Sequence, residues 1–395
     1  MTKVCRNRLN ALLVLVVLAA LLAASSTICG AVLAQPAARA QLIPGLPEKV
    51  MLLPQPLVTR LRTTKAKADL AELQRTYLVR NGVPLIRVVG REYPLLALDK
   101  LEYKPTKAQI DASQVLVGPV ARYRDLIIKG NVTIPTPPPN VVDRTPQQTA
   151  IKDQNPRGTC YAFASIGGLE AAYGGGALDL SENYANYWFM QHEGKQCKAD
   201  GVGGFDWGSI LYSHAVCADS ECPYQTAPFP SLCNGGGSPP PARRTAAQSH
   251  SVYQITNYSA LWRDESVSDS GVYANNPGYL RAALASGREV VVGLFVAGWT
   301  DSSMAGIIDV RLGSDGNPLP STGGHVMLVV GYDQPNEYFI VKNSWGSGSG
   351  HAGYLHISYD YMRTYAQLGY VINDVKPLLM HIKTPMLQRL PQLSR

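Results

Sequence analysis

Residues 153–165 read Asp153-Gln154-Asn155-Pro156-Arg157-Gly158-Thr159-Cys160-Tyr161-Ala162-Phe163-Ala164-Ser165. Asn155, Pro156 and Gly158 make a polar turn, and the chain then enters a segment of helical pattern with Cys160 at its start. A thiol at a helix N-terminus meets unpaired N–H groups and the positive end of the backbone dipole, which favour thiolate over thiol. The position activates a nucleophile. Downstream, Gly323-Gly324-His325 opens one apolar run and Lys342-Asn343-Ser344-Trp345-Gly346 closes the next. A base and an orienting amide are therefore available, completing a Cys/His/Asn set.

Around this stretch lie 395 residues, enough for one catalytic domain and something more. At the start, Lys3, Arg6 and Arg8 precede the apolar run Ala11–Leu22, and small residues lead to Ala34. That is the pattern of a secretory signal peptide over 1–34; an uncleaved membrane anchor is the alternative. A lipoprotein reading of Cys29 is poorer, because bulky Ile28 stands where a small residue is wanted. The net charge of +7 comes from basic residues spread along the chain, with Arg60, Arg62, Lys65 and Lys67 the closest group. It reads as solubility, with no nucleic-acid partner. No repeat, P-loop, zinc-type spacing or cofactor motif is present, and no metal site is expected. Cys197, Cys217, Cys222 and Cys233 form an even set that fits an oxidising compartment and allows three pairings; four unbridged thiols are the alternative.

Residues 35–139 separate the signal from the nucleophile and close with Thr136-Pro137-Pro138-Pro139, a stiff spacer. Within them Lys65–Val79 reads as one amphipathic helix, and Val83–Val89 and Val115–Val117 as strands. In the catalytic region, 140–375, a helix over Cys160–Tyr173 is expected to end at Gly174-Gly175-Gly176. A second helix starts at the capping sequence Leu180-Ser181-Glu182-Asn183, with Tyr184, Tyr187 and Trp188 as packing residues. Asn234–Ser238 and Asp264–Asn276 read as loop insertions. Val290–Val296, Val326–Tyr332, Tyr338–Lys342 and Gly353–Ile357 read as strands of a barrel-like half. Asn131 and Asn257 head glycosylation acceptors, and 376–395 is a tail without a readable role.

Gln154, Gly158, Cys160, Ala162, Phe163, the distant Gly324-His325 and Asn343-Ser344-Trp345-Gly346 together resemble the signature of the papain-like cysteine peptidases. The likeness covers roughly residues 140 to 373, and the three ordered blocks make it specific. It implies an α+β, two-lobed fold, with a helical lobe carrying Cys160 and a β-barrel-like lobe carrying His325 and Asn343. It also implies a secreted, extracellular, periplasmic or lysosome-like endopeptidase acting on polypeptides. Cys160 would attack the peptide carbonyl with a depressed thiol pKa, and His325 would move the proton. Asn343 would orient the imidazole under the shield of Trp345, and Gln154 would help form an oxyanion hole. Gly203 and Gly204, next to Phe205 and Asp206, would take an extended substrate backbone, with Asp206 at the pocket border favouring a basic side chain if it faces in, a solvated loop acid being the alternative. Residues 35–139 would be an inhibitory propeptide, an intramolecular partner lying across the cleft. This stretch lacks the helix pattern of the commonest propeptides, so a permanent accessory domain is the alternative.

The likeness implies a Cys197–Cys233 bridge, beside a local Cys217–Cys222 loop. It also exposes departures. Arg157 replaces the cysteine that usually precedes the nucleophile and Val202 replaces its partner; Thr159 stands for a Ser or similar small residue, and Tyr161 replaces the usual Trp, keeping an aromatic wall; Ser349 replaces a second Trp; Gly324 leaves the pocket without a side chain. A non-catalytic binding protein on the same fold, or an acyl transferase using the same residues, are the competing functions.

Overall fold

The computed structural model describes residues 53, 55–103, 139–194, 200–226, 241–265 and 273–378. The signal segment with Cys5 and Cys29, the 115–117 strand, Asn131, Cys197, Cys233, the 234–238 insertion and the tail beyond residue 378 lie outside the described residues. Among the described residues no helix is long and apolar enough to cross a membrane.

The N-terminal part forms helices α1 (Gln55–Thr64) and α2 (Leu70–Thr76), then a hairpin sheet of β1 (Tyr77–Arg80), β2 (Val83–Val88) and β3 (Arg91–Pro94) in antiparallel order β1-β2-β3. The single helix expected over 65–79 is therefore a misreading. Residues 66–68 run extended instead, exchanging backbone bonds with Leu312, and Asp69 caps α2 by accepting from the Ala71 and Glu72 N–H groups. Tertiary edge pairing and a strong N-cap outweighed the periodicity. The basic group nearby also has a use beyond solubility. Lys65 pairs with Asp309 and Asp360, Arg60 with Asp360, and Arg62 bonds Asn317, fastening this part to the β lobe.

The helical lobe contains α3 (Cys160–Ala172), α4 (Glu182–His192), α5 (Trp207–Ser213) and α6 (Pro241–Ser249). Every residue of α3 from Cys160 to Glu170 is buried, because the helix lies between β-lobe strands and α4. Its end follows from glycine: Gly174 and Gly175 take positive φ, and the Gly175 N–H returns to the Glu170 carbonyl at 2.8 Å. Ser181 caps α4 through the Tyr184 N–H, as its sequence suggested.

The β lobe is an eight-stranded sheet. Its path is β5 (Ile255–Trp262), β11 (Ala366–Val375), β6 (Val290–Val296), β8 (Gly323–Asp333), β9 (Tyr338–Lys342), β10 (Tyr354–Ser358) and β7 (Ile307–Ile308), with β4 (Val141–Asp143) paired to β8. All pairs are antiparallel except β10 with β7. Helices α7 (Pro277–Ala285), α8 (Asp301–Met304) and α9 (Tyr359–Tyr365) complete the lobe. Strand β8 is buried from Gly323 to Tyr332 and lies between β6 and β9, which fixes His325 opposite Leu294 and brings Asn343, just past β9, alongside it.

The local Cys217–Cys222 bridge does not form; both sulfurs are thiols. That loop is tied by Ser181 instead, whose N–H donates to the Cys217 carbonyl at 3.1 Å and whose hydroxyl donates to the Cys222 carbonyl at 2.5 Å. Asn183 Nδ2 approaches the Cys222 sulfur at 3.8 Å.

Candidate active site

Cys160 opens α3, and no side chain caps the first turn, because the Thr159 hydroxyl is engaged with the Tyr224 hydroxyl at 2.8 Å. The thiol instead meets the backbone N–H groups of Cys160, Tyr161 and Val326. Val326 follows His325 on β8, so sulfur and imidazole belong to one seam between the lobes. The His325 ring bonds Asn343 Oδ1 through Nε2 at 2.8 Å, and the Ser344 N–H donates to the same oxygen at 2.8 Å. Because an amide oxygen only accepts, Nε2 carries the proton in the neutral ring. Nδ1, buried and without a hydrogen bond, keeps its lone pair for a thiol proton.

Aromatic rings close the site from water. Trp345 stacks on His325 at 4.3 Å between centroids, and Trp299 meets the imidazole edge-on at 6.3 Å. Nothing in the sequence singled out Trp299, since a buried Trp has no distinguishing neighbour pattern. Gln154 is held at three points. Its N–H donates to the Ser344 carbonyl, its Oε1 accepts from the Ser344 hydroxyl at 2.7 Å, and its Nε2 donates to the Arg157 carbonyl at 2.7 Å. A primary amide has two N–H bonds, so one remains for an oxyanion. Beneath the site, Lys152 bridges Glu170 at 2.9 Å and Glu182 at 2.6 Å, and Lys342 donates to Thr149 at 2.8 Å. Burial lowers the Lys342 pKa to about 8. This packed network ties β9 to the helical lobe, and such charges persist in an interior only when paired.

The N-terminal part lies across the groove. Leu96 and Gly324 exchange both backbone hydrogen bonds at 2.8 Å, and the Gly204 N–H donates to the Lys100 carbonyl at 2.7 Å. A Cβ on Gly203 would lie 2.2 Å from the Lys100 oxygen, and one on Gly324 would lie 2.4 Å from a Leu101 methyl, so both positions need glycine while this segment is seated. Leu101 is fully buried beside Gly324 and Gly293. Tyr93 stacks on Trp345 at 5.2 Å and donates to its carbonyl, while Arg91 reaches Asp153 and Asn155 at 2.5 and 2.8 Å. Lys100 pairs with Glu193 at 2.6 Å.

Burial of both groups reverses the expected electrostatics. Burial pushes the Cys160 thiol up from 9.0 to about 12, opposed only by backbone N–H groups, and pushes His325 down from 6.5 to about 4 against the Asn343 hydrogen bond. The depressed thiol pKa expected from the helix terminus is thus not found in the covered state. Desolvation of the buried thiolate outweighs the backbone N–H groups that favour it.

Two other positions, Asp206 and Tyr161, differ from expectation. Asp206 has its carboxylate engaged by the protein itself: it caps α5 through the Gly208 N–H at 2.9 Å and accepts from the Tyr258 hydroxyl at 2.7 Å, buried, with burial raising its pKa. Asp206→Ala should therefore cost about 1–2 kcal/mol of stability, read as a denaturant midpoint, while a peptide-library cleavage profile keeps its preference at the corresponding position. Phe205 leans on His192 at 4.6 Å. Tyr161 is a core residue whose hydroxyl bonds Asn186 at 2.5 Å, so it forms no cleft wall.

The model of the papain family of cysteine proteases matches residues 138–368, more than half of the chain. The chain belongs to that family. Among curated relatives of this papain-family chain, macrodontain-1 of Ananas macrodontes is 26% identical over 58% of the chain and 92% of its own length. Ananain of Ananas comosus is 25% identical over 58% of each. The solved structure of xylellain, a cysteine protease from Xylella fastidiosa, aligns with a TM-score of 0.47 at 25% identity, covering 70% of this chain and 91% of that one. Apart from macrodontain-1, the matched part is only about half the length of relatives such as fruit bromelain, at 51%. The chain is thus a cysteine-type peptidase by family, with an α+β fold.

Proposed function

We propose that this papain-family peptidase is an exported endopeptidase made as a zymogen, in which residues 35–139 hold the cleft shut until they are removed. Cys160 attacks the peptide carbonyl after His325 Nδ1 takes its proton. The Gln154 amide and the Cys160 N–H receive the oxyanion, and His325 then protonates the leaving amine and later activates water to release the acyl group. Asn343 keeps the imidazole in the Nε2–H tautomer. Gly203, Gly204 and Gly324 hold an extended substrate main chain once the segment leaves.

The single observation that supports this reading most is the seating of Leu96 and Lys100. Their backbones occupy the hydrogen-bonding edges at Gly324 and Gly204 while Cys160 and His325 are wholly buried. An extended peptide recognised by strand-like pairing needs the same edges. The export reading rests on the N-terminal sequence.

The test is digestion of an unfolded protein before and after limited proteolysis ahead of Val141, with an added amine and the products weighed. Hydrolysis appearing only after the cut supports the proposal. Amine-bearing products would assign a transferase. Failure to turn over in both states, without epoxide labelling of Cys160, would assign a binding protein.

A further inference from the structure

Arg157 stands three residues before Cys160, and Asp200 opens the loop that runs to Gly203-Gly204. The space between the two loops is filled by an ion pair. Arg157 Nε and Nη2 donate to the two carboxylate oxygens of Asp200, each at 3.0 Å, and Nη1 donates to the Gln225 carbonyl at 2.8 Å and to Asn183 Oδ1 at 3.3 Å. The guanidinium also lies 5.0 Å from the Tyr224 ring centre. Asn186 Nδ2 supports Asp200 at 3.3 Å. The arginine side chain is 0% exposed and the aspartate 13%. Only a planar, five-donor fork can satisfy two oxygens of one carboxylate and two further acceptors at once.

What hangs from each end gives the pair its use. The Arg157 carbonyl accepts from Gln154 Nε2 at 2.7 Å, setting the direction of the amide's second N–H. The Gly201 N–H donates to the Gly158 carbonyl at 3.0 Å, so Asp200 leads directly into the glycine rim that ends at Gly204. Tyr224 adds a hydrogen bond to the Gln154 carbonyl at 2.8 Å.

We propose that Arg157, clamped on Asp200, is a positioning residue that aims the Gln154 oxyanion donor and fixes the glycine rim, a non-covalent tie in place of a disulfide. This rests on the peptidase reading of Cys160. Unlike a disulfide, the tie is indifferent to the redox state of its surroundings.

Alkylation of a thiolate by iodoacetamide creates no oxyanion, whereas amide hydrolysis does, so the two rates separate positioning from general loss of structure. Both are measured on the full chain opened by limited proteolysis ahead of Val141. In Arg157→Met the kcat for a peptide amide is expected to fall about 30- to 100-fold, with Cys160 alkylation within about twofold of the wild type. Arg157→Lys should recover part of the loss. Because Arg157→Met strands the Asp200 charge, the double variant Arg157→Met/Asp200→Leu provides a second, charge-free version and should show the same split. Parallel falls in both rates, or unchanged hydrolysis, would overturn the proposal. A wild-type protein that alkylates but never hydrolyses would instead overturn the peptidase reading.

Discussion

Leu101→Glu is expected to raise the rate at which an epoxide thiol trap labels Cys160 in the uncut chain by at least about 100-fold. Leu101 is fully buried against Gly293 and Gly324, and a Cβ at Gly324 would lie within 2.4 Å of its methyl. Burying such a side chain contributes about 2 kcal/mol, and forcing a carboxylate into the same apolar slot costs several more. The exposed ion pair of Arg91 with Asp153 contributes little by comparison, since its arginine is about half exposed. Opening the cleft also changes the thiol. Burial holds the thiol well above its ordinary 9.0, so removing the cover returns it toward the range in which thiolate forms more readily. Labelling at the wild-type rate, with the variant folded, would contradict the inhibitory reading of the N-terminal part.

His325→Ala is the second large effect, a fall in kcat of about 10⁴-fold or more in the opened enzyme, because nucleophile and base act as one unit. The same residue supplies a pH dependence in the covered form. Its folded pKa of about 4 lies below the ordinary 6.5, so protons bind the unfolded state preferentially. The stability of the covered form associated with this group is complete above about pH 6.5 and is lost as pH falls through about 4. It amounts to about 3 kcal/mol, taking 1.36 kcal/mol per unit. Melting curves of full-length Cys160→Ala with and without His325→Gln should converge as pH drops through that window. A constant gap from pH 7 to 4 would contradict it.

The chemistry-bearing residues were readable because they sit in short contiguous blocks whose local physics is decisive. A turn feeding a helix places Cys160, Ser181 caps α4, and the apolar runs give β6 and β9 to the residue, whereas β8 begins three residues before the expected Val326, because Gly323, Gly324 and His325 carry no apolar signal of their own. The unread parts depend on partners distant in sequence. Strands β5 and β11 carry Asn257, Ser259 and Asn373, which break the apolar pattern but satisfy one another across the pair at 2.9 and 3.3 Å. Asp206 looked like a loop acid because its cap hydrogen bond is local but Tyr258, its hydroxyl donor, lies 52 residues away. The raised thiol pKa was invisible for the same reason. The helix terminus is encoded beside Cys160, while the groove-covering residues 95–101, seated against Gly324 next to His325, come about 60 positions earlier. Arg157 could be noticed as a departure, but its partner Asp200 could not be named until the loops were brought together.

Turnover of a peptide amide by the opened chain carrying Cys160→Ala puts the account to its most direct trial. Loss of essentially all hydrolysis, with the melting behaviour of the protein retained, is the predicted result. Hydrolysis at the wild-type rate without that sulfur would contradict it.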